Sequence, residues 1–209
     1  MKEDFSPPFL KIDVPKHCQP AFKWIDRFVK EYQPNHVVCM GKYYPWAFCF
    51  LESKNGGRID AIYQTKEMTD GDMVVALDVL QTNTARNNVR RSMKLPLTDL
   101  EIHVRDRSDR IELDSKVHRY GRPDCLFMSP DTQGSLDHVI NTIEDVNFEF
   151  NHLILLTPQI EANDVNNPLD KVLDDIELLG YQSLIQIDPR PDAFGVSIFT
   201  PRSKNYQND

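Results

Sequence analysis

The chain has 209 residues, 40% of them hydrophobic and 27% charged, which is the composition of an ordinary globular protein with room for one large domain. Its formal net charge of −8 disfavours sequence-independent binding to nucleic-acid phosphates. No apolar run approaches the roughly 20 residues that span a bilayer. The first residues also lack the apolar core of a secretory signal, so we expect a cytoplasmic protein.

The first predicted element is a helix. QPAFKWIDRFVKEYQP places apolar residues at helical spacing from Phe22 to Val29, and Pro34 stops it. Six later runs predict strands, in chain order HVVCMG, RIDAIYQTK, MVVALD, DLEIHVRD, PDCLFMS and HLILLTP. Four segments among them predict helices, in chain order YPWAFCFLESKNGG, NTARNNVRRSMKL, SLDHVINTIEDV and PLDKVLDDIELLG.

The order of these elements predicts an α/β fold. Strands alternate with helices and are apolar throughout, which is typical of a mostly parallel sheet with helices on both faces. YQSLIQIDPRPDAFGVSIFTPR predicts two strands joined by a proline-rich turn, and such a pair must be antiparallel. We expect one domain over residues 1–209, in which an N-terminal helical segment, residues 1–35, precedes the core.

Two smaller features complete the pattern. Four widely spaced cysteines, Cys18, Cys39, Cys49 and Cys125, form no CxxC pair, which favours reduced, buried thiols over disulfides or a zinc site. The basic run ARNNVRRSMK is interpreted as a solvated helix face in preference to a phosphate-binding patch, with Val89 and Met93 turned inward.

Ligands of open α/β sheets bind outside the carboxyl ends of the strands, so the residues after each predicted strand are candidates. Those residues are Gly41-Lys42-Tyr43, Asp78, Asp106-Arg107-Ser108, Ser129-Pro130-Asp131 and Thr157-Pro158-Gln159. Asp78 could accept both hydroxyls of a ribose, or it could cap a helix or turn. Asp106 could meet the exocyclic amine of an adenine, or it could pair on the surface with a neighbouring arginine.

Two stretches resemble class I S-adenosylmethionine-dependent methyltransferases, particularly the FkbM type. They are VVALDVLQTNTARNNVRRSMKLPLTDLEIHVRDRSD and CLFMSPDTQGSLDHVI, the second being similar to the family segment that follows the fourth strand. The resemblance covers roughly residues 36–200 and implies a Rossmann-like, three-layer methyltransferase fold with a C-terminal antiparallel β-hairpin. It also implies S-adenosylmethionine as the cofactor.

The resemblance assigns the candidate cofactor-binding residues, which are Gly41, Tyr43, Asp78, Asp106, Arg107 and Ser129. The loop after the first strand departs from the family, because it holds Gly41 alone where relatives have an acid and several glycines. The segment before VVALD is also long. If RIDAIYQTK is the second strand, Glu67 replaces Asp78 on the ribose.

FkbM-type relatives methylate hydroxyl groups, often on sugars, so the implied acceptor is a small molecule or a glycan. An alcohol acceptor needs a base, and Asp131 is the first candidate, with a helix cap as its alternative role. His138 is the second candidate, although a structural histidine is the commoner case. Some O-methyltransferases hold a divalent cation between acids that follow the fourth and fifth strands. Here Asp131 follows the fourth strand, but no acid follows the fifth before Glu161. One carboxylate is a poor Mg²⁺ site, so no metal is predicted. Methyltransferase domains of this kind also occur in large algal viruses, so this chain could be a domain excised from a larger viral glycan-assembly protein.

Two other functions compete with this one. Asp70 and Asp72 could form the DxD metal motif of a glycosyltransferase, although such motifs end an apolar strand and TDGD predicts a turn. Alternatively, the glycine-poor first loop could mark a non-catalytic binding module. The aromatic residues Tyr43, Tyr44 and Trp46 could line a site by stacking on adenine or a sugar ring, or pack in the core.

Overall fold

A computed structural model of the chain describes residues 16–41, 56–64, 70–105, 123–129, 150–157 and 168–202. Three α-helices lie in these ranges: α1 (Gln19–Tyr32), α2 (Asp70–Ser92) and α3 (Pro168–Leu178). The strands are β1 (His36–Gly41), β2 (Gly57–Gln64), β3 (Thr98–Arg105), β4 (Cys125–Ser129), β5 (His152–Thr157), β6 (Tyr181–Ile187) and β7 (Gly195–Pro201).

The seven strands form one sheet in the order β3-β2-β1-β4-β5-β7-β6. Strands β1 to β5 pair in parallel, and β7 is antiparallel to both of its neighbours. The predicted parallel sheet with a terminal antiparallel pair is therefore confirmed. The last strand enters the sheet between β5 and β6, so β7 is buried over most of its length while β6 forms an edge.

Helix α1 follows from its sequence. Buried residues Ala21, Ile25, Phe28 and Val29 recur at the spacing of one helix face. The helix ends at Gln33, whose left-handed backbone lets its N–H donate to the carbonyl of Val29 at 2.9 Å. None of the helices in the described ranges is long and apolar enough to cross a lipid bilayer.

Two apolar clusters lie on opposite faces of the sheet. The first packs α1 and Val79 of α2 against alternate residues of the strands, such as Val37 and Ile59. The second packs Val172 and Ile176 of α3 against the other face, near Val38 and Leu126. Helices therefore cover both faces, as the sequence predicts for a three-layer α/β fold.

The prediction that MVVALD is a strand is wrong, and so is the prediction of a turn at TDGD. MVVALD and residues 70–72 of TDGD lie in α2, whereas Thr69 lies outside the described residues. Parallel neighbours β2 and β3 need a crossover connection, which this helix supplies. The alternative that RIDAIYQTK is the second strand is confirmed. Val89 and Met93 do not turn inward, since 46% and 63% of their surfaces are exposed.

The expectation of reduced, buried cysteines is confirmed for the three that the described residues include. Cys18, Cys39 and Cys125 are free and buried. Burial raises the pKa of the Cys18 thiol to about 12, which keeps it protonated and unreactive at neutral pH. Cys49 lies outside the described residues.

Gly195, the first residue of β7, has no room for a side chain. A Cβ there would collide with the Ile187 carbonyl oxygen, the Thr157 hydroxyl and the Pro189 nitrogen. We expect Gly195→Ala to lower the free energy of unfolding in urea by about 1–3 kcal/mol. The control is Gly180→Ala, where no atom lies within 4 Å and only the φ of +94° opposes the change, at roughly 1 kcal/mol. Wild-type stability of Gly195→Ala would contradict the packing of β7 against β5.

Candidate functional site

The parallel strands bring their carboxyl ends to one edge of the sheet, called here the carboxyl edge. Strand pairing places Gly41, the last residue of β1, beside Ser129, the last residue of β4. On the other side, Gln64 at the end of β2 pairs with Arg105 at the end of β3. The chain runs outward from β1 through β2 to β3 and then returns to β4, so strand order reverses between β1 and β4. Open α/β sheets bind ligands at such a switch point.

Two of the predicted cofactor-binding residues are therefore neighbours at the switch point, namely Gly41 and Ser129. Other predicted residues follow the ends of β1 to β4 in the chain but lie outside the described residues. These are Tyr43, Glu67, Asp106, Arg107, Asp131 and His138, with the aromatic residues Tyr44 and Trp46.

Asp78 does not end a strand. It lies well inside α2, whereas the strand before that helix ends at Gln64. The geometric reason for placing Asp78 on a ribose is thus removed, and the carboxylate that follows β2 in the chain is Glu67. Asp70 and Asp72 begin α2, so they do not form a DxD motif at the end of a strand.

A buried charged group that sequence inspection missed lies on the same sheet, at the middle of β2. The side chain of Asp60 is fully buried, and its oxygens accept four hydrogen bonds. Arg58 donates through Nε at 2.7 Å and Nη2 at 2.9 Å. His36 Nε2 lies 2.7 Å from one oxygen, and His103 Nε2 lies 2.9 Å from the other. Because a carboxylate only accepts, both imidazoles must donate to it.

These four residues, called here the Asp60 network, extend to the surface through two further acids. Arg58 Nη1 lies 2.6 Å from the exposed Asp99, and Nη2 lies 2.8 Å from Glu101. Period-two alternation places the charged residues of β2 and β3 on one face and residues such as Ile59 and Leu100 on the other. The expectation that the strands are apolar throughout is therefore wrong for β2 and β3, and this alternation was the signal for the network.

Charge compensation sets the ionisation of the network. Burial alone would raise the pKa of Asp60, but hydrogen bonds from His103, His36 and Arg58, with the Arg58 charge, hold it well below its usual range. Burial would lower the pKa of Arg58, and Asp60 with its neighbouring acids raises it instead. Asp60 and Arg58 are both charged at neutral pH.

Asp60, Glu101 and His103 also bring three ligand atoms within 4.8 Å of one another. The guanidinium of Arg58 already contacts both carboxylates, so a cation there would have to displace it and tolerate its charge. The network also starts at the amino end of β1, where His36 lies, away from the carboxyl edge. Its chemistry is that of a structural ion cluster.

A second buried polar atom lies at the end of β5. Thr157 is 1% exposed, and its Oγ1 has no hydrogen-bond partner among the described residues. It is the last residue of a parallel strand, so it belongs to the carboxyl edge.

Comparison with known proteins identifies the fold. No family model and no curated protein sequence matches the chain. Solved structures do match. The O-methyltransferase TomG from Streptomyces achromogenes, involved in tomaymycin synthesis and solved with S-adenosylmethionine, gives a TM-score of 0.56 at 13% identity over 90% of this chain and 83% of that one. An O-methyltransferase from Bacillus cereus, solved with S-adenosylhomocysteine, gives a TM-score of 0.57 at 13% identity over 90% of this chain and 84% of that one.

A third match is a fibrillarin pre-rRNA processing protein from Methanococcus jannaschii, with a TM-score of 0.56 at 10% identity over 90% of this chain and 76% of that one. Together with the strand order, these matches show that the chain has the Rossmann-like methyltransferase fold. The predicted fold class is confirmed.

Neutralising Asp60 should strongly destabilise the protein. Asp60→Asn leaves the largely buried Arg58 without its main counter-charge, and we expect a loss of about 3–5 kcal/mol in the free energy of unfolding near pH 7. The pKa of Asp60 is lowered by folding, so this contribution is present above the ordinary Asp pKa of about 3.9 and is lost as pH falls below it. Urea unfolding of wild type and variant at several pH values should therefore show a difference that is constant above about pH 5 and shrinks below about pH 4.

The matched control is Asp99→Asn, which removes a carboxylate from the same arginine at a site whose side chain is 66% exposed. Asp99→Asn should lower the free energy of unfolding by less than about 1 kcal/mol. Equal losses for the two variants would show that burial of Asp60 is not what makes the network important.

Proposed function

We propose that this chain is an S-adenosylmethionine-dependent O-methyltransferase acting on a hydroxyl group of a small molecule or a carbohydrate. One observation carries the proposal, namely the carboxyl edge, where β1 ends in Gly41 beside the end of β4 at the point where strand order reverses. Solved O-methyltransferases of the same fold contain S-adenosylmethionine or S-adenosylhomocysteine, which supports this cofactor.

The residues proposed for this edge have the chemistry that an adenosyl group needs. Gly41 has no side chain, so a ligand can approach the backbone at the switch point. S-adenosylmethionine has no pyrophosphate, and a phosphate-cradling loop with several glycines is therefore not required. In the proposal, Glu67 accepts the ribose hydroxyls, Asp106 meets the adenine amine, and Tyr43 packs beside the ring.

The bound cofactor supplies a methyl group on a sulfonium that is already activated for displacement. The protein then has to hold the acceptor oxygen in line and accept its proton. Asp131, two residues after the end of β4, is proposed as that base, and His138 is the second candidate. With S-adenosylmethionine bound as the methyl donor, Asp131 would accept the proton that the acceptor hydroxyl loses on methylation.

The finer parts of the proposal rest on the FkbM resemblance. The stretch CLFMSPDTQGSLDHVI supports a sugar hydroxyl as the acceptor. A cytoplasmic location, the absence of a nucleic-acid partner, independence of metals and origin from a viral glycan-assembly protein stay predictions.

Isothermal titration calorimetry with S-adenosylmethionine and S-adenosylhomocysteine tests the cofactor and its ribose carboxylate. We expect micromolar binding, and Glu67→Ala should weaken it by about tenfold or more, because a charged acceptor of two ribose hydroxyls is lost. The matched control is Asp78→Ala, which removes a carboxylate from α2 and should leave affinity unchanged. A folded protein that binds neither compound would identify a non-catalytic module, and loss of affinity in Asp78→Ala alone would restore Asp78 to the ribose.

Asp131→Asn separates chemistry from binding. We expect calorimetric affinity for S-adenosylmethionine to stay within about twofold and transfer to slow by roughly 10²-fold or more, because proton removal is impaired. Transfer is measured as methyl product on a panel of hydroxylated acceptors, including sugars, with Asp192→Asn as an exposed control. Unimpaired transfer by Asp131→Asn would remove Asp131 from the role of base.

A further inference from the structure

The end of α2 and the turn after it expose apolar side chains. All seven residues of the segment 91–97 are exposed, so this turn protrudes from the surface. The exposed fractions are 63% for Met93, 48% for Leu95 and 39% for Leu97, and Val89 on the last turns of the helix is 46% exposed. We call residues 89–97 the α2 tip.

The α2 tip is held in place by polar contacts on its inner side. Arg90 Nη1 donates to the carbonyl of Pro96 at 3.1 Å and to Thr98 Oγ1 at 3.2 Å. Asn87 exchanges two hydrogen bonds with the backbone of Thr98, at 2.7 and 3.0 Å. The left-handed backbone of Lys94, with φ of 57°, ends the helix and turns the chain. Apolar side chains are therefore displayed by a fixed turn, which lowers the entropy lost on binding.

The charge of this region is opposite to that of the whole protein. Between Val79 and Thr98 the chain contains Arg86, Arg90, Arg91 and Lys94 and no acidic residue, while the whole chain has a net charge of −8. The exposed Asp99 that follows this segment is paired with Arg58. Arg91 and Lys94 are exposed on the tip itself, beside Met93 and Leu95. The partner of this surface must offer negative charge together with an apolar layer.

Other partners fit these features less well. The segment 79–98 contains no aromatic residue, so it has no stacking platform for single-stranded nucleic acid. A protruding turn offers no groove for an amphipathic peptide. In a two-fold contact with a second copy, the same basic tip would face itself, and Arg91 and Lys94 would repel their equivalents.

We propose that the α2 tip docks the protein onto an anionic lipid bilayer, with Met93 and Leu95 entering the interface and Arg91 and Lys94 contacting the headgroups. Basic residues beside exposed apolar ones are the features that bind peripheral proteins to such surfaces. Helix α2 starts after the carboxyl end of β2 and ends before the amino end of β3, so the tip lies at the edge opposite Gly41. A docked protein keeps its carboxyl edge away from the bilayer, and the proposal is independent of the proposed methyl transfer.

Co-sedimentation with vesicles tests the docking. We expect the full chain to bind vesicles of equal parts phosphatidylcholine and phosphatidylglycerol, to bind weakly to phosphatidylcholine alone, and to lose affinity as salt is raised. Each Lys or Arg at an anionic surface strengthens binding roughly fivefold, so Arg91→Glu/Lys94→Glu should reduce the partition coefficient by at least about tenfold. Met93→Ser/Leu95→Ser should reduce it by about tenfold as well.

Matched controls change side chains of the same kind at other places on the surface. Lys23→Glu/Lys171→Glu reverses two exposed charges on α1 and α3, and Leu178→Ser/Leu184→Ser removes two exposed leucines. Both controls should bind within about twofold of wild type. The salt titration of wild type needs no variant and keeps the test valid if a double variant unfolds. Absent or salt-independent vesicle binding, or equal losses in tip and control variants, overturns the proposal. A change of oligomeric state in the tip variants also overturns the proposal. Vesicle binding that is unchanged in Met93→Ser/Leu95→Ser overturns it as well.

Discussion

Pairing of β1, β2 and β3 depends on the neutralisation of Asp60. A fully buried carboxylate is tolerated in a sheet only when it is matched by charge and hydrogen bonds, and here Arg58, His36 and His103 supply both. The residues that neutralise Asp60 come from β1, β2 and β3, so they surround it only when these three strands are paired in the observed register. A slip of one residue would move Asp60 to the face where Ile59 and Ala61 pack, with its charge unpaired.

That register also aligns the strands that lead to the carboxyl edge. The pairing of β1 with β2 sets the relative position of their ends, and the pairing of β1 with β4 places Gly41 beside Ser129 at the switch point. The antiparallel β7 completes the other half of the sheet and closes it with the exposed strand β6. The Asp60 network, which runs from the amino end of β1 to the middle of β2, and the proposed ligand-binding edge at the carboxyl ends therefore share the same aligned strands, and α2 connects the carboxyl end of β2 to the amino end of β3.

Much of this architecture could be predicted from the sequence, because buried parallel strands such as HLILLT and amphipathic helices such as α1 have clear periodicity. MVVALD misled because valine favours strands only where a sheet is available, and here the crossover between β2 and β3 requires a helix. The exposure of Val89 and Met93 also contradicts simple periodicity, since helical spacing alone does not show where the helix extends beyond the sheet that covers it. For the site, Gly41 and Ser129 could be found from strand ends. The alternation of β2 and β3 indicates a charged face, but the partners of Asp60 are distant in the chain and are identified only once the strands are paired.

Binding of an adenosyl group at the carboxyl edge beside Gly41 is the central proposal for this protein. A crystal structure grown with saturating S-adenosylhomocysteine tests it most directly. We expect nucleoside density at the switch point between β1 and β4, with the ribose hydroxyls on the carboxylate of Glu67. Density for the nucleoside at any other place on the protein, or an edge that contains no ligand at saturation, would contradict it.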